Sequence, residues 1–70
     1  MIYVFLADGF EEIEGLTVVD LLRRAGIETK TVSIMGREEI QGAHGITVKA
    51  DSLFEDTDFS EVRMLVLPGG

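Results

Sequence analysis

The residues that decide the fold are 2–25, which read IYVFLADGFEEIEGLTVVDLLRRA. Residues 2–7 form a continuous apolar run rich in aromatic and β-branched side chains, which is typical of a strand covered on both faces in a parallel sheet. From Glu11 to Ala25 the apolar positions recur every three residues, and this predicts one face of an amphipathic helix. The positions of that stripe are Ile13, Leu16, Val19, Leu22 and Ala25.

Charged residues and a glycine mark the two ends of this helix. Three glutamates lie in its first turn and two arginines in its last, an arrangement that complements the helix dipole. These residues are Glu11, Glu12, Glu14, Arg23 and Arg24. Gly26 follows at the position where a left-handed residue ends a helix. Val18 and Leu21 add apolar surface outside the stripe, which suggests a second covered side of the helix.

Two further strands are predicted, at residues 27–35 and 64–67, and the second of these ends in Pro68-Gly69-Gly70. Strand, helix and strand make a βαβ unit with a right-handed crossover, and the final strand is expected beside the first in one parallel sheet. One helix cannot cover both faces of such a sheet. We therefore interpret residues 1–70 as the N-terminal part of a larger α/β domain.

Residues 39–41 and 46–49 flank the loop Gly42-Ala43-His44-Gly45, and this pattern predicts a β-hairpin. Residues 51–60 are acidic and predict a solvated loop with a helical turn, held by Leu53, Phe54 and Phe59.

The composition bounds the possible functions. The chain has 70 residues, of which 46% are hydrophobic and 27% charged, as expected for a core-forming sequence. Its net charge of −7 disfavours nucleic acid and anionic membranes as partners. The absence of cysteine excludes a disulfide, a thiolate metal site and a cysteine nucleophile from these residues. Without a leader-like start or a long apolar run, the sequence predicts a cytoplasmic protein.

Chemistry is expected where the carboxyl ends of the parallel strands meet. The amides of Gly69 and Gly70 could form an oxyanion site there, or the glycines could simply end the strand. Glu14 could stabilise the helix dipole as Glu11 and Glu12 do, or its carboxyl could lie between apolar walls and donate a hydrogen bond. His44 has no second ligand at useful spacing, which predicts a surface loop residue and no metal site. The sequence has no G-x-G-x-x-G motif and no P-loop, which argues against dinucleotide or phosphate binding.

Four segments in this order resemble the ThiJ/PfpI superfamily, in particular the branch that contains the human parkinsonism-associated deglycase. The segments are LADGFEEIE (6–14), VDLLRRAG (19–26), AD (50–51) and VLPGG (66–70). The resemblance implies a flavodoxin-like, doubly wound parallel sheet and a homodimer that uses the helix from Ile13 to Arg24. It also implies a downstream cysteine whose sulfur is hydrogen-bonded by Glu14, with the amides of Gly69 and Gly70 at the oxyanion site. His44 matches a basic residue near the cleft shared by the two subunits.

The function implied by the resemblance is that of a cofactor-free, cysteine-dependent enzyme acting on small reactive dicarbonyls such as methylglyoxal, or on their adducts. The C-terminal half of the same protein would supply the nucleophile, because residues 1–70 hold no thiol. Two alternatives stay open: a redox-responsive chaperone or stress-sensing interaction protein, and a class I amidotransferase-like domain.

Overall fold

The computed structural model describes residues 1–69 of the chain. Its elements, in chain order, are β1 (Ile2–Leu6), α1 (Glu12–Arg24), β2 (Thr29–Ser33), β3 (Glu39–Gln41), β4 (Thr47–Lys49), β5 (Ser52–Leu53), a 3₁₀ turn (Phe54–Asp56) and β6 (Met64–Val66). The predicted βαβ unit, hairpin, helical turn and final strand are confirmed. The two-residue strand β5 was not predicted. Within residues 1–69, no helix has both the length and the apolar content needed to cross a lipid bilayer.

Four strands form a parallel sheet in the order β5-β2-β1-β6, and β3 and β4 form a separate antiparallel pair. Ile2 is in register with Thr29 on one side and with Met64 on the other. The prediction that the final strand lies beside the first is therefore confirmed. Because the strands are parallel, the segments after β1 and β6 leave the sheet at the same edge.

The core lies on one face of this sheet. Val4 and Leu6 of β1 are fully buried and belong to one cluster with Phe10, Val19 of α1 and Ile40 of β3. The hairpin therefore shares a core with the helix and the sheet, although it makes no backbone pairing with the sheet.

Aromatic side chains cover part of the opposite face, which the sequence predicts to be bare. Tyr3 and Phe5 alternate with Val4 and Leu6 and so point to the other side of the sheet. The ring of Phe59 lies 4.8 Å from that of Tyr3 and 5.9 Å from that of Phe5, measured between centroids.

The predicted apolar stripe of α1 is wrong at both of its ends. Ile13 is 76% exposed and Ala25 is also exposed, whereas Val19 is buried and Val18 packs against the core. The reason is geometric, because a spacing of three residues drifts away from the helical period of 3.6. Six residues at about 100° each carry Ile13 roughly 120° around the helix from Val19.

The end of α1 is confirmed. Gly26 is left-handed, with a φ of 78°, and its N–H donates to the carbonyl of Arg23. The N–H of Ile27 donates to the carbonyl of Leu22, which completes a Schellman motif. Arg23 also forms an ion pair with Asp51 over 2.7 Å, so Asp51 holds the helix end and is not merely part of a solvated acidic face.

Candidate active site at the carboxyl edge of the sheet

The loop after β1 and the end of β6 are in direct contact. The backbone N–H of Glu11 donates to the carbonyl of Gly69 over 2.7 Å. A methyl group built on Gly69 would lie 3.1 Å from Oε1 of Glu14, so that carboxyl rests against the strand end. The predicted meeting of Glu14 and Gly69 at one edge is thus present in the structure. Gly70, the third predicted site residue, lies outside the described residues.

Gly15 explains how the helix approaches the strand end so closely. A Cβ at this position would meet two ring carbons of Phe10 at 3.0 Å and Cγ of Pro68 at 3.3 Å. Phe10 is itself buried, so a glycine leaves the room that the helix start, Phe10 and Pro68 need to pack together. Glu14, the preceding residue, is thereby placed beside Gly69. Its side chain is exposed among residues 1–69, so the predicted apolar walls are not found in this part of the chain.

A crevice of about 350 Å³ opens at the same edge, between the β1–α1 loop and the end of β6. Its wall is mostly apolar, with the carboxylate-bearing Asp8 among the lining residues. The residues that line it are Phe5, Ala7, Asp8, Gly9, Phe10, Ile34, Leu67, Pro68 and Gly69. The edge at which the topology predicts a ligand site therefore carries a recess.

Glu12 is the site residue that sequence reasoning missed. Its place in the first turn of α1 predicts a surface carboxylate that complements the helix dipole, but only 3% of the residue is exposed. One carboxylate oxygen accepts the backbone N–H groups of His44 and Ile46, at 2.8 and 3.3 Å, and the other lies 2.8 Å from Nδ1 of the His44 ring. His44 is exposed, as predicted for a loop residue, yet its ring is bound to a buried carboxylate.

The contact between Glu12 and His44 favours the charged form of both groups. The hydrogen bond from the His44 ring, helped by backbone N–H groups, lowers the pKa of Glu12 from 4.5 to about 2, although burial opposes the shift. The hydrogen bond to Glu12 raises the pKa of His44 above 6.5, and the negative charges of Glu12 and Glu11 act in the same direction. At mildly acidic pH the two residues therefore form a hydrogen-bonded ion pair.

Three residues of the β1–α1 loop, Asp8, Gly9 and Phe10, are hydrogen-bonded to the hairpin. Gly9 donates its N–H to the carbonyl of Gln41 over 2.7 Å, and Ala43 donates to the carbonyl of Phe10 over 2.9 Å. Asp8 accepts the N–H of Gln41 at 3.0 Å and forms an ion pair with Arg37. The hydrogen bond from Gln41, followed by that from Arg37, lowers the pKa of Asp8.

Glu11, Glu12 and His44 also bring three potential metal-ligand atoms within 4.8 Å of one another. The Glu12 oxygens already accept two backbone N–H groups, and the ring Nδ1 of His44 faces the same carboxylate. These contacts account for the cluster as a hydrogen-bonded pair beside Glu11, and we assign no metal to it.

Comparison with known proteins identifies the family. The profile of the DJ-1/PfpI family matches residues 1–70, so the chain belongs to that family. A protein named deglycase from Thermococcus kodakarensis is 38% identical over 69 residues, which are 99% of this chain and 41% of that protein. The Parkinson disease protein 7 homolog of Danio rerio is 37% identical over 68 residues, which are 96% of this chain and 36% of that protein.

Solved structures confirm the α/β fold as flavodoxin-like. Oxidized DJ-1 of Toxoplasma gondii superposes with a TM-score of 0.94 at 35% identity, over 99% of this chain and 38% of its own. A cysteine-to-alanine mutant of a DJ-1 superfamily protein from Salmonella typhimurium gives 0.93 at 35% identity, over 99% of this chain and 37% of its own. The chain thus spans roughly two fifths of the length of these relatives.

Proposed function

We propose that this chain is the N-terminal part of a cysteine-dependent, cofactor-free enzyme that acts on small reactive dicarbonyls or their adducts. The observation that carries the proposal is the placement of the Glu14 carboxyl against Gly69, at the edge where both strands end. In this proposal Glu14 supplies an acid, Gly69 and Gly70 supply backbone N–H groups, and the rest of the protein supplies the nucleophile.

The proposed reaction needs both a carboxylic acid and backbone N–H donors near one sulfur atom. A thiolate attacks the aldehyde carbon of the dicarbonyl, a carbon–sulfur bond forms, and the carbonyl electron pair moves to oxygen. Backbone N–H groups stabilise that oxyanion, and a protonated carboxyl donating to sulfur stabilises the thiolate before attack. The overall hydration adds one water, oxidises the aldehyde carbon and reduces the neighbouring ketone, so no external redox cofactor is required.

The names of two relatives support the proposal. One relative is named a deglycase, and the Salmonella structure is that of a cysteine-to-alanine mutant. Since residues 1–70 contain no cysteine, the nucleophile of this protein is expected in residues that follow the Pro68-Gly69 strand end.

Turnover of methylglyoxal by the intact protein tests this function. We expect Glu14→Ala to lower kcat/KM by about 100-fold or more, a loss typical of a missing catalytic donor. The control is Glu28→Ala, which should match the wild type, because Glu28 is an exposed glutamate at the opposite edge of the sheet. Full activity of Glu14→Ala would exclude the role that we give to this carboxyl.

A redox-responsive interaction protein is the second candidate, because one solved relative is described as oxidized. In that case two equivalents of a peroxide would oxidise the same cysteine to a sulfinate and be reduced to water, and partner binding would change with the oxidation state of the cysteine. Reduced protein that binds a partner differently from oxidised protein, and does not turn over methylglyoxal, would favour this function over the enzymatic one.

The homodimer and the cytoplasmic location also stay predictions. The helix from Ile13 to Arg24 offers an apolar surface for a second copy, since Ile13 is 76% and Leu21 60% exposed. The amidotransferase alternative has no supporting observation among the residues described.

A further inference from the structure

The Glu12 carboxylate joins two parts of the molecule that are distant in sequence. Glu12 lies in the first turn of α1, and its partners His44 and Ile46 lie 32 and 34 residues further along, in the loop of the hairpin. A carboxylate that is buried and accepts several hydrogen bonds is costly to displace, because the N–H groups it leaves would lose their acceptor.

The hairpin loop is shaped to receive this carboxylate. A Cβ on Gly42 would overlap the carboxyl group of Glu12, so the backbone at residue 42 lies directly against it. Gly42 also donates its N–H to the carbonyl of Ile46 over 2.9 Å, which closes the loop around the Glu12 side chain. The space for the carboxylate therefore depends on the absence of a side chain at residue 42.

The same helix turn carries the proposed catalytic acid. Glu11 is bonded through its backbone to Gly69, and Glu14 rests against Gly69. The position of this turn therefore depends on contacts with β6 on one side and with the hairpin on the other.

We propose that Glu12 is a positioning residue, whose buried carboxylate holds loop 42–46 against the first turn of α1 and so fixes the place from which Glu14 reaches Gly69. The test of this proposal by kcat rests on the proposed function. The tests by NMR titration of His44 and by hydrogen exchange do not. The ionisable groups that face His44 are Glu12 at 2.8 Å and Glu11 at 3.9 Å.

The test compares three variants of the intact protein. Glu12→Gln keeps the size of the side chain but removes its charge, and Gly42→Ala keeps the carboxylate but displaces it. Glu11→Gln is the matched control, because Glu11 precedes Glu12 and its carboxylate makes only the longer 3.9 Å approach to His44. Two measurements report whether the Glu12 carboxylate still binds loop 42–46. The first is an NMR titration of the His44 imidazole, whose signal is assigned by its loss in His44→Gln. The second is hydrogen exchange at the amides of His44 and Ile46.

We expect both Glu12→Gln and Gly42→Ala to lower the His44 pKa relative to the wild type and to speed amide exchange at His44 and Ile46 by about tenfold or more. Because the acid would be misplaced, we also expect kcat to fall about 10- to 100-fold with a small change in KM. The Glu11→Gln control should leave amide exchange close to the wild type and lower the His44 pKa much less than Glu12→Gln does, because the Glu11 carboxylate approaches the His44 ring only to 3.9 Å.

Two results would overturn the proposal. The first is an unchanged His44 titration and unchanged exchange in both variants. The second is a changed His44 titration and faster amide exchange with unchanged kcat, which would show that Glu12 holds the loop without positioning Glu14. Failure of the proposed function has a different signature: Glu14→Ala would then keep full activity, whatever the titration of His44 in Glu12→Gln.

Discussion

Glu12 and Glu14 lie two residues apart in the first turn of α1, and their side chains point to different parts of the molecule. Two residues correspond to a rotation of about 200° around the helix. Glu12 is therefore buried against the hairpin loop, whereas Glu14 is exposed beside Gly69. Three similar glutamates at a helix start thus include a structural residue and a candidate acid.

The ion pair of Glu12 with His44 predicts a specific dependence of stability on pH. The pKa of Glu12 is lowered from 4.5 to about 2, so its contribution is complete above pH 4.5 and is lost as pH falls towards 2. The pKa of His44 is raised, so its contribution is complete below pH 6.5 and is lost as pH rises through the folded-state value. Both contributions are present in full between pH 4.5 and 6.5.

We therefore expect Glu12→Gln to reduce the free energy of unfolding most strongly between pH 4.5 and 6.5, and less on either side. Urea unfolding of the intact protein at a series of pH values measures this difference. Glu11→Gln should show a much weaker pH dependence. A Glu12→Gln effect that is the same at every pH would contradict the assignment.

At the scale of elements, the hairpin is the least expected part of the structure. It makes no backbone pairing with the sheet, yet Ile40 of β3 is fully buried in the common core. Together with the Asp8 and Glu12 contacts, this side chain fixes the hairpin beside the β1–α1 loop.

Replacing Ile40 by alanine should therefore cost stability at the level of a core residue. We expect Ile40→Ala to lower the free energy of unfolding by about 2–5 kcal/mol, because burial is lost and a cavity is left. Ile46→Ala is the matched control in the same hairpin, since Ile46 is 52% exposed, and it should cost well under half as much. Chemical denaturation measures both, and equal losses would show that Ile40 has no special place in the core.

The sequence predicts elements well where a pattern is local. The apolar run of β1, the glycine that ends α1 and the turn residues of the hairpin all act over a few positions, and each prediction is confirmed. The face of α1 is predicted less well, because a three-residue spacing drifts across several faces of a helix over the 13 residues of α1. Ile13 is exposed for this reason.

The Glu12–His44 contact could not be predicted because it depends on how two distant elements pack. Nothing in the three glutamates distinguishes the one that will be covered. A usable signal does exist in the loop Gly42-Ala43-His44-Gly45, where a glycine and a histidine together offer space and a partner for a carboxylate. Glu14 and Gly69, by contrast, follow from topology, since parallel neighbours end at one edge.

At the scale of the whole molecule, large apolar side chains are exposed at several places, and two of these are the outer side of α1 and the strand β6. Ile13 and Leu21 lie on the outer side of α1, and Met64, Leu65 and Leu67 lie on or beside the edge strand β6. Exposed apolar surface of this kind marks a contact with further protein. We propose that the remainder of the domain covers the edge strand and that a second copy covers the helix face.

The helix assignment predicts the assembly state of the intact protein. We expect Leu21→Glu to convert a dimer into a monomer at micromolar concentration, because a charge would be buried in an apolar contact. Analytical ultracentrifugation measures this change. Asp20→Ala, next to Leu21 but paired with Arg24 on the surface, should leave the dimer intact, and a dimer that survives Leu21→Glu would place the interface elsewhere.

The central claim is that Glu14 and the Gly69 strand end form one side of a pocket for a reactive thiol. The most direct test is to measure the pKa of that thiol in the intact protein, in the wild type and in Glu14→Ala. The ultraviolet absorbance of the thiolate, recorded as a function of pH, gives this pKa. We predict a higher thiol pKa in the variant, because the carboxyl hydrogen bond that favours the thiolate is lost. Identical thiol titrations in the two proteins would contradict the account.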